Sequence, residues 1–286
     1  MDIMGKKLIS WLFETNAIRV CPKNKPFWYT SGKIGPYYIN THFLYGSEAK
    51  ANSLLNLIDN EKDNVLTCID KVLEATIKNY NSDEIYKGLI DELCGFIKAN
   101  VDLNEVDCIS GGERRDWFFS PVIARMLNKP HLTIFKDLTV VTKNRGSNEI
   151  VNKLADSKIL HIADLITEAS SYKRAWIPAI AARHGQMKWS VVVIDRKQGG
   201  EELLAGEGIK SHAMATIDRE LFEQVLSMGL IDNEQYEMII NYIDNPEESM
   251  KKFLLEHDEF LRNALASDEK TAERARVCIE KNIYGN

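Results

Sequence analysis

Residues 159–171, ILHIADLITEASS, constrain what this chain can fold into more than any other stretch. Residues 159–162 form a short apolar run of the kind that makes a fully buried parallel strand. Asp164 falls just past that run, where open α/β sheets bind ligands at the carboxyl ends of their strands. Thr167, Ser170 and Ser171 then place three hydroxyls ahead of a helical run over 172–182. A strand, a hydroxyl-rich turn and a helix start together make an anion site, because free backbone N–H groups and the helix dipole converge on it. The same residues also read as an ordinary strand-to-helix turn with a Ser/Thr cap, and periodicity alone does not choose between the two.

A chain of 286 residues is long enough for one large domain or two modest ones. Its net charge of −6 argues against a general nucleic-acid binder. Cys21, Cys68, Cys94, Cys108 and Cys278 are scattered and never form a CxxC pair. That pattern predicts reduced, mostly buried thiols in a cytoplasmic protein, not a disulfide framework or a zinc site. No apolar run approaches the length of a membrane span, and the N-terminus lacks a signal-peptide core. The expectation is a cytoplasmic protein with neither membrane nor nucleic acid as partner.

Apolar spacing at Leu8, Ile9, Leu12 and Phe13 predicts an amphipathic helix over 6–16. Two aromatic strand-like runs, 27–29 and 37–39, flank the turn-forming 31–36, SGKIGP. The resulting hairpin carries Lys33 and aromatics at its tip. It suits either a cover for a planar anionic ligand or an edge hairpin whose aromatics fill a core. Residues 47–100 read as almost wholly helical, with breaks near 60–64 and 79–83. Residues 108–116, CISGGERRD, predict a strand end, a Gly-Gly turn and then a helix over 117–127. Arg114 and Arg115 suit bidentate contact with phosphate oxygens, or equally a solvated cluster capping that helix.

Residues 131–135 form the next strand, and 142–148, TKNRGSN, read as a mobile polar loop. Residues 189–194 form a buried strand ending at Asp195 and Arg196, and 212–217 a weaker last one. From Arg219 onward the period is helical, with punctuation at Gly229, 245–246 and 267–268 that marks about four helices. The order of elements predicts an α/β fold with helical additions in the middle and at the C-terminus. Four segments are expected: an N-terminal helix and hairpin over 1–47, a helical insertion over 48–104, an α/β core over 105–218 and a helical extension over 219–286.

Three blocks, 30–40 (TSGKIGPYYIN), 159–171 and 191–200 (VVVIDRKQGG), resemble the orotate phosphoribosyltransferase family of type I phosphoribosyltransferases, in that family's order. The resemblance covers roughly 1–47 and 106–217. It implies a parallel sheet flanked by helices under an N-terminal hood hairpin. By resemblance Thr167, Ala169, Ser170 and Ser171 line the 5′-phosphate loop, with Arg114, Arg115 and Lys33 also toward the phosphoribosyl ligand. Asp164 holds the ribose hydroxyls, Tyr38 packs on the base, and Arg196 binds the orotate carbonyl or carboxylate. Lys136, Lys143 and Arg145 fall where the family keeps a catalytic loop that reaches into the partner of a homodimer.

The implied substrates are phosphoribosyl pyrophosphate and a nucleobase. Mg²⁺ is implied as cofactor, carried by ligand phosphates with Asp164 nearby and no protein ligand directly assigned. The chain departs from the family pattern where an acidic pair becomes Ala163-Asp164 and where Thr-x-Gly-Gly-Ser becomes Thr167-Glu168-Ala169-Ser170-Ser171. Thr30 also stands in place of a lysine, and Lys143-Asn144-Arg145-Gly146 in place of Lys-x-His-Gly. Two functions follow: an enzyme of pyrimidine biosynthesis making a nucleoside 5′-monophosphate, or a non-catalytic protein of the same fold that senses a nucleotide or phosphoribosyl ligand.

Overall fold

A computed structural model describes residues 3–144 and 147–285. The chain opens with helix α1 (Ile3–Glu14), which buries Leu8, Ile9 and Leu12 and gives way to Asn16 in the left-handed region (φ 58°). Four short strands follow: β1 (Ile18–Val20), β2 (Phe27–Trp28), β3 (Ile34–Gly35) and β4 (Tyr37–Ile39). Three helices come next, α2 (Glu48–Glu61), α3 (Val65–Tyr80) and α4 (Glu84–Asn100). Ser47 and Asp83 cap the first and third by accepting from Lys50 N and Tyr86 N, so the polar breaks fall where the sequence sets them.

Then β5 (Cys108–Gly112), α5 (Ser120–Met126), β6 (His131–Ile134), β7 (Val140–Asn144), β8 (Ser147–Ile150) and β9 (Lys158–Ile166) lead to α6 (Ile177–Ala181), β10 (Gln186–Asp195), α7 (Gly200–Gly206) and β11 (Lys210–Thr216). The chain closes with α8 (Arg219–Ser227), α9 (Asn233–Asp244), α10 (Pro246–Glu256), α11 (Asp258–Leu265) and α12 (Glu269–Glu280). That is one helix more than the punctuation implied. The unmarked break is at His257, which has neither glycine nor proline beside it.

The chain divides into two compact units, residues 1–17 with 41–217 and residues 18–40 with 218–286. The first is built on a seven-stranded sheet of order β11-β10-β9-β5-β6-β7-β8. Strands β11 through β6 run parallel, and β7 and β8 add antiparallel at one edge. Val191, Val192, Val193 and Ile194 are all fully buried, as a central parallel strand covered on both faces requires. Helix α1 belongs here, with the indole of Trp11 lying against Gly88 of α4.

The second unit joins the four short strands to the C-terminal helices. Its core gathers Trp28 and Ile34 with Met250, Phe253, Leu254 and Cys278, and the Ile34 amide donates to Tyr284 Oη at 2.9 Å. The first 47 residues are therefore not one body, because α1 and the two hairpins bury their apolar faces in different cores.

Several sequence expectations change. Residues 27–28 pair with 34–35, while 37–39 pair with 18–20. Gly32 at φ 84° allows the tight return that brings the chain back three residues early, at Ile34. Gly111 and Gly112 lie inside β5 and not in a turn, and Asp164 lies inside β9 and not beyond it. Residues 142–144 and 147–148 lie in strand arms, since Val140 and Val141 are buried and Leu132 of β6 pairs with Thr142, while 145–146 lie outside the described residues. The helix expected over 117–127 is a 3₁₀ turn (Asp116–Phe118) followed by α5, and the run from 172 opens with a π-turn (Tyr172–Trp176) before α6. Cys21, Cys68, Cys94 and Cys278 are buried, and burial pushes the Cys21 thiol up to about 12. No helix among the described residues is long and apolar enough to cross a membrane.

Candidate functional site

The first unit holds a cleft of about 410 Å³ at the carboxyl ends of β5 and β9. Its walls come from residues 113–116 after β5, Lys136 after β6, the end of β9, and the turn that follows β9 as far as Trp176. The sheet opens there for a structural reason. Pairing between β5 and β9 stops at Ser110↔His161, whereas β5 stays on β6 to Gly112↔Ile134 and β9 stays on β10 to Ile166↔Asp195. A fork between parallel strands at their carboxyl ends is where α/β sheets place ligands.

The turn after β9 holds one residue in the left-handed region without a glycine. Ala169 sits at φ 52°, in the left-handed region that favours glycine, and holding an L-residue there costs about 1–2 kcal/mol. Ala169, Ser170 and Ser171 line the cleft, while the exposed Glu168 does not. The π-turn begins directly after Ser171, and its Lys173 N–H donates back to Ala169 O at 3.1 Å.

Charge in the cleft is mixed. Arg114 is ion-paired with Asp59 of α2, and Glu113 accepts from the Lys136 backbone N–H at 3.0 Å. Arg115 and Lys136 are exposed, and neither side chain forms an ion pair among the described residues. His42, buried beside this face, is held down to about 3 by burial first and then by the charges of Arg115 and Arg114. Asp164 is 8 % exposed. Burial first, and the Asp116 carboxylate second, push it up to about 7, with Arg115 acting the other way. A carboxyl so shifted inside a cleft is a candidate functional position.

The structure thus brings together Arg114, Arg115, Lys136, Asp164, Thr167, Ala169, Ser170 and Ser171. It does not bring in the rest. Lys143 is exposed on β7 and pairs with Asp70 of α3 at 2.9 Å. Arg145 lies outside the described residues. Arg196 follows β10, its backbone N–H donating to Ile166 O at 3.0 Å, with a buried Nε that has no hydrogen-bond partner among the described residues. Lys33 and Tyr38 belong to the second unit. There Lys33 pairs with Glu247 at 3.4 Å, and Tyr38 Oη donates to Trp28 O at 2.8 Å while its ring meets those of Phe27 and Tyr29 edge-on.

Sequence reasoning missed Asp116, Tyr172 and Trp176 as cleft residues. Asp116 was visible as the acid that closes GGERRD; nothing local announces the other two. Among the described residues no group of three or more His, Cys, Asp or Glu could hold a metal ion. The carboxylates lining the cleft are Glu113, Asp116 and Asp164.

A mostly parallel sheet with an anion-ready turn after a central strand, and basic residues across the fork, defines a phosphoribosyltransferase fold of type I. The chain is 26% identical over 215 residues to the orotate phosphoribosyltransferase of Sulfurisphaera tokodaii, covering 75% of this chain and 87% of that protein. Orotate phosphoribosyltransferase of Staphylothermus marinus is 24% identical over 222 residues. No family model matches. The solved orotate phosphoribosyltransferase of Francisella tularensis superposes with a TM-score of 0.51 at 16% identity, over 82% of this chain and 96% of that one. UMP synthase of Leishmania donovani superposes at 0.55 with 14% identity, over 85% of this chain and 42% of that one, so this chain spans less than half of the synthase. The resemblance to orotate phosphoribosyltransferases is one of sequence, and the fold is theirs.

Proposed function

We propose that the chain transfers a phosphoribosyl group from phosphoribosyl pyrophosphate to a nucleobase, orotate, yielding orotidine 5′-monophosphate and pyrophosphate in pyrimidine biosynthesis. In this reaction the bond from the anomeric carbon to pyrophosphate oxygen breaks and a bond from that carbon to the base nitrogen forms. The observation that carries the reading is the cleft that joins Asp164 and the 167–171 turn to two basic side chains without carboxylate partners.

In the proposal the turn amides and the hydroxyls of Thr167, Ser170 and Ser171 hold the 5′-phosphate, and Asp164 accepts from the ribose hydroxyls. Arg115 and Lys136 face the pyrophosphate and gain most from it as its charge grows on leaving. Fixed donors aimed at developing charge contribute about 3–4 kcal/mol each in such sites. Mg²⁺ carried by the ligand phosphates, with Asp164 nearby, would supply further neutralisation of the leaving group. Transfer of isotope-labelled phosphoribosyl to a panel of bases tests the reading: orotate-dependent product is expected, and no product with any base would sink it.

A second reading, ligand binding without turnover in a regulatory role, is favoured by two observations. Ala163 supplies no second carboxylate, and Lys143 is tied to Asp70 outside the cleft. Binding of phosphoribosyl pyrophosphate with no product would select it.

Arg196 is proposed to contact the base, since its buried Nε lacks a partner at the end of β10, beside the end of β9. Arg196→Ala should weaken base binding by about 2–3 kcal/mol, the scale for removing one member of a buried charged hydrogen bond, and leave phosphoribosyl binding unchanged. Equal loss for both ligands in calorimetry would assign the residue a structural role. The protein is further proposed to be a cytoplasmic homodimer, as the family resemblance implies. Light scattering at micromolar concentration should give twice the 32.6 kDa chain mass, and a monomer would refute it.

A further inference from the structure

We infer that Asp116 is the positioning residue of this cleft, its two carboxylate oxygens clasping the separated ends of β5 and β9. Its consequence for binding rests on the cleft being an anion site, as proposed above.

The fork leaves backbone groups that need partners. Past Ser110↔His161 the two strands no longer pair with each other, so the amides on their facing flanks lose strand partners. A buried N–H left without an acceptor is costly. Asp116, 7 % exposed, turns back from the 3₁₀ turn and supplies both acceptors. Its Oδ2 accepts from Gly112 N at 2.9 Å on β5, and its Oδ1 accepts from Asp164 N at 3.2 Å on β9. Only a carboxylate offers two acceptor oxygens on one carbon; an asparagine offers one and an alanine none.

The surroundings lock this arrangement. The indole N–H of Trp117 donates to Gly111 O at 3.1 Å, and a Cβ at Gly112 would run into the Trp176 ring at 2.2 Å. The β5 end is thus held from both sides. Beneath the clasp lies His161, fully buried, with Nδ1 2.9 Å from Ser110 Oγ and Nε2 3.4 Å from Asp116 Oδ2. The order Ser110, His161, Asp116 looks like a hydrolytic relay, but Ser110 and His161 have no exposed surface, so no substrate reaches them. Both Asp116 oxygens are engaged by backbone, so the residue acts through others. It fixes where Asp164 and Arg115, on opposite sides of the fork, stand relative to each other.

Full-length wild type, Asp116→Asn and Asp116→Ala are titrated calorimetrically with inorganic pyrophosphate and with phosphoribosyl pyrophosphate, and amide exchange is followed at Gly112 and Asp164. Wild-type protein should protect both amides as strongly as strand interiors. Asp116→Asn should free one amide and weaken binding of both probes about tenfold, and Asp116→Ala should free both amides and weaken binding about a hundredfold, one charged hydrogen bond being lost at each step. The partial rescue by asparagine is the mark of positioning. Wild-type amides exchanging at open-loop rates, or an Asp116→Asn variant binding within twofold of wild type with both amides still protected, would overturn the inference. If the alanine variant does not fold, the asparagine variant and the wild-type exchange rates decide. Wild-type protein that binds neither probe would overturn the proposed function instead, and the clasp would then stand or fall on exchange alone.

Discussion

Asp164→Asn should be more stable than wild type at pH 8 and should bind phosphoribosyl pyrophosphate far more weakly. The carboxyl is raised from 3.8 to about 7 by burial and by the Asp116 charge. Its folded form therefore holds a proton more tightly than the unfolded chain does. The stability it contributes is complete below about pH 4 and is lost as pH rises towards 7, because there the folded state must ionise a buried group. Every tenfold gain in proton affinity is worth about 1.4 kcal/mol, so the penalty above pH 7 is on the order of a few kcal/mol.

Asparagine carries no charge and escapes it. Denaturant unfolding at pH 5 and pH 8 should show a marked loss of stability with pH in wild type and a flatter profile in Asp164→Asn. Identical profiles would show that the carboxyl is not held this way. The same variant should lose ligand binding by a factor of ten or more, since a buried ionisable group retained at such a cost belongs to a site that uses it.

The second large effect concerns the turn after β9. Ser171→Glu should abolish binding of phosphoribosyl pyrophosphate, whereas Glu168→Thr should leave it within about twofold. Ser171 lines the cleft immediately before the π-turn, and Glu168 is exposed and faces away. Two like charges about 4 Å apart repel by about 1 kcal/mol in water and about 4 kcal/mol at the effective dielectric near a protein surface. A phosphate dianion meeting a carboxylate at 171 roughly doubles that. Titration calorimetry on the three proteins separates the outcomes. A gain of binding in Glu168→Thr over a wild type that binds nothing would mean that Glu168 has taken over the anion position and that the turn no longer serves phosphate.

The two variants also address the departures from the family pattern. Where the family pattern has glycine, Ala169 sits in the left-handed region, a conformation alanine keeps when packing over-determines it; Ala169 is buried. The added carboxylate at 168 is tolerated because the same turn points that side chain to solvent.

Much of the fold was legible in the residues alone. Periodicity set the helices of the insertion, with Ser47 and Asp83 as caps, since capping is a local hydrogen-bonding matter. The apolar runs at 159–162 and 189–194 marked central parallel strands, because burial on both faces leaves a continuous signature. The same local chemistry placed Asp164, the 167–171 turn and the paired arginines at strand ends, leaving an anion site and plain capping as its two readings, and the structure brings them to one cleft.

Tertiary structure decided the rest. Which hairpin arms pair depends on where Gly32 turns the chain and on which core receives each face, and no window of sequence carries that. That 142–144 and 147–148 lie in strand arms depends on β6 offering an edge. That Arg114 meets Asp59, and Lys143 meets Asp70, depends on where helices some fifty to seventy positions away come to lie. Above all, the acidic partner of Asp164 stands at Asp116, forty-eight positions earlier, and not at position 163. Ala163 lines the same cleft without a carboxyl, and the second carboxylate beside Asp164 comes from Asp116 across the fork between β5 and β9.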